Sequence, residues 1–86
     1  MPKISEFYGI EIRVNYRDHP PPHFHAKYGS EEALIVIPTG DVYRGYLPER
    51  VLRFVRDWAE LHTDELLENW ERARRKEPLV PIEPLA

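Results

Sequence analysis

Residues 9–16, Gly-Ile-Glu-Ile-Arg-Val-Asn-Tyr, alternate apolar and polar with a period of two, which puts Ile10, Ile12, Val14 and Tyr16 on one face. This pattern predicts a half-buried strand. Pro20, Pro21 and Pro22 follow, and because proline has no amide hydrogen they break the ladder and impose an extended loop. Alternation resumes from His23 to Tyr28, with Phe24, Ala26 and Tyr28 on one side and His23, His25 and Lys27 on the other. Gly29 and Ser30 supply a turn, and Ala33-Leu34-Ile35-Val36-Ile37 is continuously apolar, as a central strand is. Pro38-Thr39-Gly40-Asp41 reads as a hairpin turn, and residues 41–46 complete a fourth strand.

The period changes at Pro48, a residue suited to a first helical turn, with Glu49 behind it to complement the helix dipole. Val51, Leu52, Phe54, Val55, Trp58, Ala59 and Leu61 recur at three- and four-residue spacing, opposite Arg50, Arg53, Asp57 and Glu60. The same period continues through Leu66, Leu67, Trp70 and Ala73. A single rod from residue 48 to 76 would be about 43 Å long, too long for a domain of this size. Thr63-Asp64-Glu65 offers a cap and first-turn acids, so a turn is expected at residues 62–64. The chain is therefore expected to be a single α+β domain over residues 1–86. An antiparallel meander of about four strands (residues 8–47) is covered on one face by two helices (49–62 and 64–76), and residues 78–86 form an extended, proline-rich tail. Leu79, Val80, Ile82 and Leu85 in that tail need an apolar surface, either on the domain itself or on a partner.

Composition narrows the function more than the fold. Eighty-six residues leave room for one modest core and exclude dinucleotide-binding folds. There is no cysteine, so disulfide frameworks and thiolate metal sites are excluded. No apolar run approaches the roughly 18 residues of a membrane span, and no signal-peptide core follows Met1, so a cytoplasmic protein with no membrane partner is expected. The net charge is −3, and cations and anions are interleaved, without the basic stripe of a duplex-DNA binder.

One constellation stands above this background: three of the four histidines fall within seven residues, at positions 19, 23 and 25. His23 and His25 are two apart on a strand and share a face, and the stiff loop brings His19 towards them. Three imidazoles could hold a divalent metal such as zinc, with Asp18, Glu11 or a distant carboxylate completing the set. The same residues could act without metal, as acid–base groups beside Arg17, with Arg13 and Arg17 binding a phosphate. Histidines hydrogen-bonded around a proline loop, with no chemistry at all, remain a third possibility. Both readings that involve chemistry expect a partly exposed cluster on the sheet face away from the helices. Tyr16 and Tyr28 run in phase with core residues and are expected to pack. The Arg56 and His62 spacing is shared with a helical ribonuclease motif, but is expected here only to flank a helix end.

Met1-Pro-x-Ile-Ser-x-Phe-Tyr-Gly-Ile at the start, Tyr-Arg-Asp-His-x-Pro-Pro-His-Phe-His-Ala over residues 16–26, Trp58-Ala-Glu-Leu-His and Glu68-Asn-Trp70 occur together here. With these motifs the chain closely resembles the small prokaryotic family called domain of unknown function 4160, over residues 4–85. Arg17, Asp18, His19, His23 and His25 match the family block, and Pro20 is an additional proline. The resemblance implies a bacterial toxin–antitoxin pair, with an antitoxin-like partner encoded by a neighbouring gene and RNA as a target. It assigns no catalytic residue. Two functions are thus expected in competition. One is a toxin-like ribonuclease acting through His19, His23, His25 and Arg17. The other is a non-catalytic module that binds a metal or a partner, including a second copy of itself as a homodimer.

Overall fold

The computed structural model describes residues 2–86 and shows a five-stranded antiparallel sheet followed by two helices. The strands β1 (Lys3–Phe7), β2 (Ile10–Arg13), β3 (His23–Tyr28), β4 (Glu31–Val36) and β5 (Val42–Gly45) lie side by side in chain order. The meander is as expected, with one strand more. β1 escapes periodicity because its pairing with β2 is irregular between Lys3 and Ser5, so Ile4 and Ser5 are both buried instead of alternating. A tight turn joins the two, with Tyr8 and Gly9 both at positive φ (52° and 77°).

Gly45 ends β5 at φ +87°, and a side chain there would overlap the carbonyl oxygen of Glu32 on β4. Glycine is required at this point because the backbones of β4 and β5 cross too closely for a Cβ. The pairing of the two strands is itself shifted between Leu34 and Ile35.

Helices α1 (Glu49–Leu61) and α2 (Thr63–Arg74) break at His62, close to the expected turn. Thr63 is the first residue of α2 and does not cap it; its hydroxyl donates back to the Ala59 carbonyl at 3.1 Å. The apolar stripe of α1 buries Val51, Val55 and Trp58. Trp58 stacks between Phe7 and Phe24, with ring centroids 5.4 and 5.9 Å away. With Ile10, Ile12, Ala26, Ala33 and Ile35 these residues form the main core between sheet and helices. Burying a large apolar side chain contributes about 1.5–3 kcal/mol, so this face supplies the bulk of the stabilisation. Tyr16 and Tyr28 do not join it. Both lie at the rim, 38% and 39% exposed, Tyr16 beyond the end of β2 and Tyr28 as the last residue of β3.

The last residues return to the first strand. The Ile82 amide donates to the Ile4 carbonyl at 2.8 Å, and Ile82 is buried in the main core. The Trp58 indole N–H donates to the Glu83 carbonyl, and the Tyr8 hydroxyl to that of Ala86. Asn69 holds Val80 from both sides, donating to its carbonyl and accepting from its amide, each at 2.8 Å.

Candidate metal centre

The site is built on the face of β3 that points away from Phe24. Cross-strand register sets Arg13, His25 and Leu34 in one row and Glu11, Lys27 and Glu32 in the next. His23 opens the strand, opposite Val36. The loop before it turns back so that Asp18 reaches both histidines: its Oδ2 lies 3.2 Å from His23 Nε2 and 2.9 Å from His25 Nε2. The three donor atoms all lie within 4.8 Å of one another.

The other ring nitrogens fix what these atoms can do. His23 Nδ1 is 2.8 Å from the Pro21 carbonyl oxygen, which only accepts, so Nδ1 carries the hydrogen. In the neutral ring Nε2 then presents a lone pair, and it faces Asp18 without hydrogen-bond alignment; this nitrogen is buried and has no hydrogen-bond partner. His25 Nε2 is within hydrogen-bond distance of Asp18 Oδ2 at 2.9 Å, and its Nδ1 lies 3.5 Å from a Glu32 carboxylate oxygen. The His23 lone pair, the His25 Nε2 and a carboxylate oxygen thus converge on one point. The approach of the His23 lone pair to the Asp18 oxygen at 3.2 Å is repulsive unless a cation, either a proton or a metal, sits between them.

The dimensions suit a metal. Donor atoms at about 2.0–2.1 Å from a tetrahedral zinc are about 3.3 Å apart, close to the two separations seen here. Metal-bound histidines also characteristically donate their second nitrogen to a carbonyl or carboxylate, as His23 does to Pro21 and His25 is placed to do to Glu32.

Two expectations need correction. His23 and His25 do share a face, but it is not the open face expected: they are 3% and 9% exposed. Trp70 from α2 lies against His23 with ring centroids 5.3 Å apart, and Tyr43 from β5 lies 5.8 Å from it on another side. The second helix thus covers His23, and the helical spacing of Trp70 gave no sign of that. His19 is exposed and stands outside the cluster, because the loop directs Asp18 inward in its place.

The two arginines also separate. Arg13 pairs with Glu11 at 2.8 Å, and this contact holds the Glu11 carboxyl below its ordinary pKa. Arg17 is exposed and lines a shallow cleft of about 550 Å³ with Pro2, Asn15 and Tyr16. Arg56 and His62 do not meet: Arg56 donates to the Gly40 carbonyl and His62 pairs with Glu65. Sequence reasoning missed Asn15, whose Nδ2 is 3.1 Å from His25 Nε2, and Glu32. The one available signal was register, since Glu32 lies opposite Lys27, two residues along from His25 on the same face.

The model of the family described as "Domain of unknown function (DUF4160)" matches residues 9–71, a span that contains the whole Asp18, His23 and His25 cluster. The chain belongs to this family. No curated protein and no solved structure matches it. Among the described residues of this DUF4160 chain, no helix is long and apolar enough to cross a membrane.

Proposed function

We propose that this chain is a cytoplasmic metal-binding module that holds one divalent first-row cation, such as zinc, on His23, His25 and Asp18. The observation that carries the reading is the buried Nε2 of His23, which has no hydrogen-bond partner and faces a carboxylate oxygen while its Nδ1 is committed to Pro21. Two imidazoles and one carboxylate form a ligand set used for zinc and for non-haem iron. Cysteine-free and only partly exposed, the site favours these ions over soft ones. Bound metal would tie the loop carrying Asp18 to β3 and so stabilise the fold.

The test is titration of the metal-free protein with Zn²⁺, followed by calorimetry and by elemental analysis after dialysis. One equivalent per chain is expected, lost in His23→Ala and in Asp18→Ala. Wild-type protein that retains no metal at micromolar Zn²⁺ would overturn the reading.

A second reading is favoured by the exposed Arg17, which precedes Asp18 of the Asp18–His25 pair in the chain. In it the chain is the toxin-like member of a two-protein module and acts on RNA by acid–base chemistry, with an antitoxin-like partner. Growth arrest on expression, relieved by His25→Ala and by Arg17→Ala in metal-depleted medium, would support it over the first.

A further inference from the structure

The metal centre leaves one neighbour unexplained. Asn15 Nδ2 lies 3.1 Å from His25 Nε2, almost the spacing between His25 and Asp18, while Asn15 Oδ1 is buried and has no hydrogen-bond partner. An N–H donor in that position would occupy the lone pair that a metal needs. The oxygen and nitrogen of a side-chain amide fill nearly the same volume, so a half-turn of the amide exchanges them. The exchange removes the competing donor and brings an oxygen lone pair to the same point.

We infer that Asn15 is the fourth protein ligand of this centre, binding the cation through Oδ1 to give a set of two imidazole nitrogens, one carboxylate oxygen and one amide oxygen. This rests on the metal reading above and deepens it. Asn15 follows Val14, the residue just after β2, and the Val14 amide donates to the Pro2 carbonyl, so the side chain starts from a fixed backbone. Amide oxygens are ordinary ligands of hard divalent cations. Four protein ligands around zinc make a closed centre with no coordinated water, which is the form taken by structural sites. The cation is then a clasp joining the end of β2, the following loop and β3.

Three variants test this in the full chain, with Zn²⁺ affinity and the visible spectrum of the Co²⁺-loaded protein as readouts. Asn15→Ala should weaken Zn²⁺ binding tenfold or more, and Asn15→Asp should bind at least as tightly as wild type. Both should move the Co²⁺ ligand-field band, because a donor atom changes. Arg17→Gln alters local charge by the same unit as Asn15→Asp without changing a donor, and should leave the band in place. If Asn15 merely donates to His25, Asn15→Asp sets a carboxylate against a lone pair and weakens binding. That result, or unchanged affinity in Asn15→Ala, overturns the assignment while the three-ligand centre stands. Wild-type protein that takes up no metal overturns both.

Discussion

The side-chain amide of Asn69 binds the backbone of Val80 through both of its polar atoms, at 2.8 Å each, from a position on α2 that is 1% exposed. A side-chain amide can donate and accept at once, and here it takes both the C=O and the N–H of one residue. Its place among the buried positions of α2 makes it the polar anchor of the residues that follow the helix.

Replacing Asn69 with alanine removes both hydrogen bonds and leaves a small void, so a loss of about 2 kcal/mol is expected. Urea denaturation should show a lower midpoint with an unchanged slope. Asn69→Asp can still accept from the Val80 amide but sets a carboxylate against its carbonyl, and should be worse than alanine. Stability equal to wild type in either variant would contradict the clamp.

His19 and His23 should behave oppositely although both belong to the same seven-residue block. His19→Ala should leave Zn²⁺ affinity within about twofold of wild type, because its side chain stands outside the donor cluster. His23→Ala should lower affinity at least a hundredfold, the order expected for loss of a direct ligand when outer partners alone cost tenfold to a hundredfold. Equal losses in the two variants would restore the three-histidine site.

How much of this was legible depends on how local the deciding contacts are. The alternation of residues 23–28 defines β3 to the residue and puts His23 and His25 on one face, because strand phase is a property of neighbours in sequence. The burial of that face is not local. It comes from Trp70, 47 positions after His23, and from Tyr43, and no period within β3 encodes either contact. The choice of Asp18 over His19 as the inward residue depends on the path of the proline loop, which restricts dihedral angles without stating a direction. β1 was lost for a simpler reason, since the irregular step between Lys3 and Ser5 interrupts the pattern that would have revealed it.

The Glu11 carboxyl, hydrogen-bonded to Arg13, should titrate below an ordinary glutamate when followed by NMR. Arg13→Gln should return it towards the usual value. A depressed folded-state pKa means the pair's contribution to stability is present above the unfolded-state value and fades as pH falls through the folded one. Both groups are partly exposed, so the effect on overall stability should be small and weakened by salt.

Gly45→Ala should be among the most damaging single-methyl changes in the protein, costing about 3 kcal/mol, because a positive φ and a collision with the Glu32 carbonyl act together. Hydrogen exchange should report it first in β5, whose amides lose their partners on β4. Protection in β5 unchanged from wild type would show that the two strands can separate without loss.

The return of residues 80–83 to the first strand has a consequence for how the chain is made. Synthesis runs from the amino end, so the sheet and both helices emerge before the residues that complete them. Until then the indole N–H of Trp58 and the amide of Asn69 lack their protein partners, and the place of Ile82 beside Ile4 stands open to water. A nascent chain arrested just after α2 would carry that apolar slot as a sticky seam. Its closure waits for residues 80–83, which are made only after the elements they complete.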